Sequence, residues 1–173
     1  NPNKTKVATV EEMDLIKDVL CQRALQARNF GFDVIVMGMG ISKYLLTGFN
    51  DRTDIYGGSL ENRCKWTIDF MQELRKRIGP NTTLLVDMCS TLGPISEDIK
   101  DEEVIYLCSN IEKYVDGFII RSGWDKHWES IENNRLLVYN TTTVFTEKDF
   151  NLEFCAKLKK TVNLPVFMNG GIV

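Results

Sequence analysis

Hydrophobic residues recur along the chain in two alternating patterns, one with helical spacing and one made of short continuous runs. The first helical stretch extends from Thr9 to about Asn29, with apolar residues three and four positions apart. Thr9 is a suitable N-cap, and Gly31 ends the helix. The next run, 32–37 (FDVIVM), is rich in β-branched residues and predicts a strand that is buried on both faces.

Three further units of helix followed by strand come after the first. Ser59 can cap a second helix that ends near Ile78. The expected inward positions of this helix are Leu60, Cys64, Ile68, Met71, Leu74 and Ile78. The remaining predicted elements are helices at 101–113 and 147–162 and strands at 83–88, 115–121 and 164–168.

This order of elements restricts the fold class. Helix–strand repeats require parallel strands joined by right-handed crossovers, which occur in doubly wound sheets and in (β/α)8 barrels. Periodicity does not separate the two. Four strands are too few to close a barrel of this type, so we expect a single partial domain over residues 1–173, with open sheet edges that need a neighbour.

The composition is that of one globular domain, and it argues against several classes of partner. The 173 residues are 43% hydrophobic, which suffices for a proper core. The net charge of −3 gives no basic excess, so we expect neither nucleic-acid binding nor binding to anionic membranes. No apolar run approaches the roughly 20 residues that span a bilayer. The absence of an initiator Met suggests that the sequence begins inside a longer product.

The five cysteines are odd in number and show no Cys-x-x-Cys spacing, so they do not form a metal-site pattern. They are Cys21, Cys64, Cys89, Cys108 and Cys155. All but Cys89 fall in predicted helices among apolar neighbours, which is typical of buried thiols in a reducing compartment. We therefore expect an intracellular protein, in the cytoplasm or in an organelle matrix such as that of the mitochondrion.

The segment 52–63 (RTDIYGGSLENR) resembles the R-T-D-x-Y-G-G-S-L-E-N-R signature of the old yellow enzyme family, the NADH:flavin oxidoreductases and ene-reductases. Matches at 9–13, 31–33, 44–46 and 165–172 follow in that family's order, so the resemblance covers nearly the whole chain. It implies a partial (β/α)8 TIM-type barrel that runs from the third helix to the seventh strand of the family barrel. In the family, FMN lies at the C-terminal ends of these strands.

The resemblance also implies where substrate chemistry would occur. Family members bind the reduced substrate with a His-x-x-His or His-x-x-Asn pair, because hydrogen-bond donors stabilise the negative charge that develops there. Counted from either side, the first histidine position falls here on Gly38 or Met39, and neither residue can replace it. Tyr44 matches the tyrosine that donates a proton in many members, and it remains either a general acid or a packing residue. Ser42 or Lys43 is a candidate replacement donor.

Other positions would face the flavin. In the family, an arginine of the fifth strand faces the flavin N1 and C2 carbonyl, and the aligned residue here is Asp87, or Met88 after a shift of one position. Asp87 would repel reduced flavin, so we expect it to be solvated or ion-paired. The resemblance implies that Gly170 and Gly171 mark the place of the FMN phosphate, and a tight turn explains the two glycines equally well. Arg121, at a strand end, is expected to bind a phosphate or carboxylate or to form a surface ion pair.

Three functions are open on these grounds. The first is a divergent old-yellow-enzyme-like protein that has lost FMN and flavin redox catalysis. It would act as a structural or interaction subunit, with a protein partner or the remaining barrel segment covering its open strand edges. The second is part of an active FMN-dependent NAD(P)H oxidoreductase of the ene-reductase type, completed by further sequence. The third is a module for another phosphorylated ligand. The single histidine, His127, is expected at the surface.

Overall fold

The fold alternates helices and strands, as the hydrophobic pattern indicates. The computed structural model describes residues 6–48, 50–89, 99–121 and 151–169. The helices are α1 (Val10–Asn29), α2 (Gly40–Leu46), α3 (Leu60–Ile78), α4 (Asp101–Ile111) and α5 (Leu152–Thr161), with a 3-10 turn at Glu112–Tyr114. The strands are β1 (Val34–Gly38), β2 (Thr83–Cys89), β3 (Gly117–Arg121) and β4 (Val166–Asn169).

Local sequence accounts for the ends of the two long helices. At the start of α1, the Glu12 amide donates to the Thr9 hydroxyl at 3.2 Å, and the Thr9 amide donates to the Glu12 carboxylate at 2.9 Å. This reciprocal arrangement is a capping box. Ser59 caps α3 by accepting a bond from the Asn62 amide, and Gly79, with a φ of 76°, follows its last turn. The predicted starts of both helices are confirmed.

Shorter elements differ from the prediction. Helix α2 was not predicted, because seven residues (GISKYLL) are too few to show a helical period. Helix α4 ends at Ile111, before the predicted end at Lys113, since the last residues tighten into the 3-10 turn. Within the predicted helix at 147–162, residues 147–150 lie outside the described residues.

The four strands form one parallel sheet in the order β1-β2-β3-β4. Val36 lies opposite Leu85, Leu85 lies opposite Gly117, and Phe118 lies opposite Val166. Strand order follows chain order without reversal, which is the winding of a (β/α)8 barrel and not that of a doubly wound sheet. The prediction of a partial barrel with about four parallel strands is confirmed.

The two faces of the sheet differ in burial. The outer face packs under the helices with residues that are at most 7% exposed, namely Ile35, Leu84, Val86, Met88, Phe118 and Ile120. On the inner face, Val34, Val36 and Phe167 are 46%, 50% and 49% exposed. The expectation that the first strand is buried on both faces is therefore wrong, because no described element covers the inner face.

Helix α3 lies at the centre of the helical layer and contacts α1, α2 and α4. Its buried face is wider than the predicted stripe. Trp66 and Phe70 are fully buried, whereas Leu60 and Ile68, which were predicted to face inward, are only partly buried. The indole Nε1 of Trp66 donates to the Met13 carbonyl of α1 at 3.0 Å. A helix with neighbours on three sides needs more than one apolar stripe. The predicted apolar face of α3 was therefore too narrow.

The signature segment is a tight turn held by its own side chains. Arg52 forms an ion pair with Asp54 and donates from Nη1 to the Ala8 carbonyl at 2.7 Å. Asp54 accepts a further bond from the Tyr56 amide at 3.0 Å, and the Arg52 hydrogen bond holds the pKa of the Asp54 carboxyl below its usual value. At Gly57, a Cβ atom would lie 1.8 Å from the Arg52 carbonyl oxygen, so only glycine fits.

Arg63, the last residue of the signature, joins three helices. Its Nη1 donates to the Leu46 carbonyl at the end of α2 at 2.6 Å, and its Nη2 lies 2.6 Å from Glu103 Oε1 on α4. Both partners of this ion pair are less than one fifth exposed. The signature therefore has a structural role, because its residues fix a turn and the start of a helix.

Cys21, Cys64, Cys108 and Cys155 are buried free thiols, as predicted. Burial raises the pKa of Cys64 to about 12 and that of Cys21 to about 11, and it raises the pKa of Cys108 as well. These thiols are poor nucleophiles and poor metal ligands at neutral pH, because both roles need the thiolate.

Candidate functional site

The candidate site is the C-terminal end of the inner face of the sheet, where a barrel of this winding carries its functional groups. One row of inner-facing residues runs across the four strands through Gly38, Asp87, Ile119 and Phe167. Arg121 and Asn169 lie two residues further along their strands, in the next row. The charged residues on the described part of the inner face, Asp87 and Arg121, thus lie at one end of it.

Asp87 and Arg121 form an ion pair between neighbouring strands. The Arg121 Nε atom donates to Asp87 Oδ1 at 2.7 Å. The Asp87 side chain is 16% exposed and the Arg121 side chain 44% exposed, so the carboxylate lies at the base of the pair and the guanidinium extends toward solvent. Among the described residues, Arg121 makes no other ion pair or hydrogen bond through its side chain, which leaves both Nη groups available. This one contact is both the ion pair expected of Asp87 and the surface ion pair expected of Arg121.

The positions aligned with the family's first histidine carry no donor side chain. Gly38 lies on the inner face beside Asp87, and a Cβ atom built on it would have nothing within 4 Å. Met39 is buried, with 7% of its side chain exposed, and directly precedes α2. In either register, the structure therefore places open space or a packed thioether where a donor is needed for an oxyanion.

Two of the donors considered on α2, Ser42 and Tyr44, differ in burial. The Ser42 hydroxyl is buried and shares a 2.6 Å hydrogen bond with the Thr67 hydroxyl of α3, so Ser42 as a replacement donor is wrong: its hydroxyl belongs to a helix contact. Tyr44 is 69% exposed, and its phenol makes no hydrogen bond within the described part of the chain. An exposed Tyr44 has room to turn toward a ligand.

Three residues singled out by sequence lie outside the described residues. They are the two glycines expected at the FMN phosphate, Gly170 and Gly171, and the single histidine, His127. The last described residue before the glycines is Asn169, in the row of Arg121. The role of Gly170 and Gly171 stays a prediction.

A second concave feature was not expected from the sequence. A cavity of about 410 Å³ lies between residues 7–10 and 51–54. Its basic side chain, Arg52, is already bound to Asp54 and to the Ala8 carbonyl, and one of its two hydroxyl residues, Thr9, caps α1. The cavity walls are therefore held in part by the signature turn.

Metal chemistry has no support in the described ranges. Within residues 6–48, 50–89, 99–121 and 151–169, no group of three or more His, Cys, Asp or Glu side chains is placed to hold a metal ion. The helices in those ranges are also too short or too polar to cross a membrane.

Comparison with known proteins points to one family. A model of the NADH:flavin oxidoreductase / NADH oxidase family matches residues 3–173. The chain is 24% identical over 176 residues to cinnamate reductase of Clostridium sporogenes, which covers 94% of this chain and 26% of that protein. It is 28% identical over 116 residues to 12-oxophytodienoate reductase 2 of Arabidopsis thaliana, which covers 61% of this chain and 30% of that protein.

A solved structure shows the same fold. The old yellow enzyme homologue from Zymomonas mobilis matches with a TM-score of 0.68 at 18% sequence identity, over 98% of this chain and 44% of that one. At this identity, the match supports the fold alone. The chain spans less than half of that structure and about a quarter to a third of the curated relatives above.

Proposed function

The chain belongs to the NADH:flavin oxidoreductase / NADH oxidase family, and from that membership we propose that on its own it is an incomplete flavin-type barrel without redox activity. It acts as a structural or interaction subunit whose open sheet packs against another polypeptide segment. The observation that carries the proposal is the exposed inner face, where Val34, Val36 and Phe167 are each about half exposed. Apolar side chains in this position form the packed interior of a complete barrel.

The residues at the strand ends support the loss of catalysis. The inner face holds a carboxylate, Asp87, close to where a flavin-binding barrel of this family has a cation, and the nearest cation, Arg121, is already paired with it. The net charge of the pair is about zero, so it offers little stabilisation to an anionic reduced flavin. Neither Gly38 nor Met39 can donate a hydrogen bond from its side chain to a substrate. The described residues therefore do not fit FMN by themselves.

The test is the flavin content and activity of the purified 173-residue chain. We expect a colourless protein that does not retain FMN on desalting and does not oxidise NAD(P)H with an enone acceptor above the rate of free FMN. The Asp87→Asn variant is the matched probe, because it removes the negative charge beside the Arg121 guanidinium and keeps the shape of the side chain. FMN bound in a 1:1 ratio, together with enone-dependent turnover, would refute the proposal.

A second candidate is part of an active FMN-dependent NAD(P)H oxidoreductase of the ene-reductase type, completed by further sequence. It is favoured by the share of the Zymomonas mobilis chain that this chain spans, 44%, which leaves more than half of such a chain outside these residues. It is also favoured by Arg121, whose two Nη groups remain available at the strand ends. Intact mass and a visible spectrum of the product from its native source decide the matter. A chain about twice this mass with a flavin band supports this candidate, and a colourless chain near 19.8 kDa contradicts it.

A further inference from the structure

We propose that the Arg121 guanidinium binds the carboxylate of a small monoanionic ligand with an apolar body, and that Asp87 is the residue that positions it. This inference goes beyond the proposed function, because it concerns a ligand other than flavin and needs no partner segment. Its starting point is the one bond that joins the two side chains, from Arg121 Nε to Asp87 Oδ1 at 2.7 Å. That bond restrains the guanidinium and leaves its Nη edge unused among the described residues.

The unused edge of the guanidinium has the geometry of a carboxylate receptor. Its two Nη groups donate parallel N–H bonds in one plane, and a planar carboxylate accepts both at once. Arg121 is the last residue of β3, at the C-terminal end of the sheet, and its side chain is 44% exposed. The Nη edge is thus open to a ligand, and the arginine loses little freedom on binding because Asp87 already restrains it.

Asp87 also sets the charge that the ligand can carry. Its carboxylate, with 16% of the side chain exposed, cancels much of the field of Arg121. Recognition therefore depends on the two hydrogen bonds more than on net charge. The attraction of an anion to the pair grows in proportion to the anion's charge, whereas the cost of removing the anion from water grows with the square of that charge. A nearly neutral pair consequently favours a carboxylate monoanion over a phosphate dianion.

The surface next to the pair is apolar. Ile119 lies beside Asp87 in the same row of the inner face, and Phe167 follows it with 49% of its side chain exposed. On the other side of Asp87, a Cβ atom built on Gly38 would meet nothing within 4 Å. Val36, two residues before Gly38 on the same face, is half exposed. A ring or short alkyl chain can therefore rest on apolar side chains while its carboxylate binds the guanidinium.

The first measurement is calorimetric titration of the 173-residue chain with benzoate, which carries a planar carboxylate on an apolar ring. We expect saturable binding at one site with a dissociation constant of about 1 mM or lower. Benzamide has the same shape without the charge, acetate has the charge without the ring, and phenyl phosphate is mostly a dianion at a pH of about 7.5. Each of these three probes should bind about tenfold more weakly than benzoate.

Two substitutions of Arg121 separate the parallel donors from the charge. Arg121→Met should abolish benzoate binding. Arg121→Lys keeps the charge and loses the parallel donors, so it should raise the dissociation constant about tenfold. Arg77→Met is the matched control, because Arg77 is also an arginine paired with carboxylates but lies on α3 in the helical layer. We expect the control to leave the benzoate affinity unchanged.

The Asp87→Asn variant tests how the partner of Arg121 selects the ligand. The amide oxygen of asparagine still accepts a bond from Arg121 Nε, but the negative charge is gone. The affinity for phenyl phosphate should therefore rise by a larger factor than the affinity for benzoate. A purely structural role of Asp87 would change both affinities by the same factor.

Several results would overturn this proposal. They are the absence of saturable benzoate binding, benzamide binding as tight as that of benzoate, and an unchanged benzoate affinity in Arg121→Met. Tighter binding of phenyl phosphate than of benzoate by the unsubstituted chain overturns the assignment to a monocarboxylate, and equally tight binding of acetate overturns the apolar body. None of these titrations measures flavin content, so their failure leaves the proposed function as it stands.

Discussion

Replacing Arg75 by methionine should be among the most damaging single changes on the helical layer. Arg75 of α3 donates from Nε to the Tyr114 carbonyl at 2.8 Å and from Nη1 to the Gly79 and Thr82 carbonyls at 3.0 and 2.8 Å. Its Nη2 lies 2.6 Å from the Asp116 carboxylate. One guanidinium thus holds the chain segments that lead into β2 and β3. Methionine keeps most of the apolar stem and removes all four bonds.

The expected fall in the free energy of unfolding follows from these contacts. The Arg75 side chain is 18% exposed, and three of its four bonds go to backbone carbonyls. At about 1 kcal/mol net for each carbonyl bond, and less than 1 kcal/mol for the pair with the partly exposed Asp116, the free energy of unfolding should fall by about 3 kcal/mol. The measurement is equilibrium urea unfolding, followed by tryptophan fluorescence. With a denaturant slope near 2 kcal/mol/M, the midpoint should fall by about 1.5 M.

Arg77, two residues further along α3, gives the matched control. It binds only carboxylates, Glu73 and Asp18, at 2.7 Å on the surface. Surface pairs of this kind contribute little, so Arg77→Met should lower the free energy of unfolding by less than about 1 kcal/mol. Equal losses of unfolding free energy for the two variants would contradict this prediction. They would show that the carbonyls bonded to Arg75 are well solvated when the guanidinium is removed.

Two further outcomes test the turn chemistry and the buried thiols. Gly57→Ala should destabilise the protein by more than 2 kcal/mol as an order of magnitude, since the new Cβ meets the Arg52 carbonyl oxygen at 1.8 Å, whereas Gly40→Ala, with nothing within 4 Å, should be neutral in the same thermal melt. For the thiols, burial raises the pKa of Cys64 to about 12 and that of Cys21 to about 11, from 9.0. The folded state therefore keeps protons that the unfolded chain loses above pH 9, so the urea midpoint should be unaffected by these groups below about pH 8 and fall as the pH rises from 9 toward 11. Fast reaction of Cys21 or Cys64 in the native protein with a disulfide reagent at pH 8, located by peptide mapping, would contradict their burial.

Much of the fold could be predicted because its signals are local. The Thr9 capping box, the Ser59 cap and the terminating Gly79 are each encoded within a few residues, and both long helices begin where those signals predict. The burial of Trp66 and Phe70 was missed for the opposite reason. That burial depends on how many helices surround α3. The number of neighbours is a property of the packed helical layer and cannot be read from one apolar stripe in the sequence.

The candidate site was less predictable. The pair between Asp87 and Arg121 joins residues 34 positions apart, and it exists because the register of β2 and β3 sets them diagonally on one face. Sequence alone marked both as residues at strand ends but could not place them together. Ser42 was considered as a donor for a related reason. The sequence around it gives no sign that its hydroxyl is hydrogen-bonded to Thr67 of the neighbouring helix.

The order β1-β2-β3-β4 also bears on how the chain leaves the ribosome. Each described strand after β1 pairs with one that was synthesised before it, and the helix that covers each new junction is made before the strand that completes it. During translation, native contacts can therefore accumulate unit by unit from the amino end, as domains generally form when synthesis proceeds. A nascent chain that pauses after any strand would already hold a narrower version of the final sheet, with a similar exposed face for chaperones to shield.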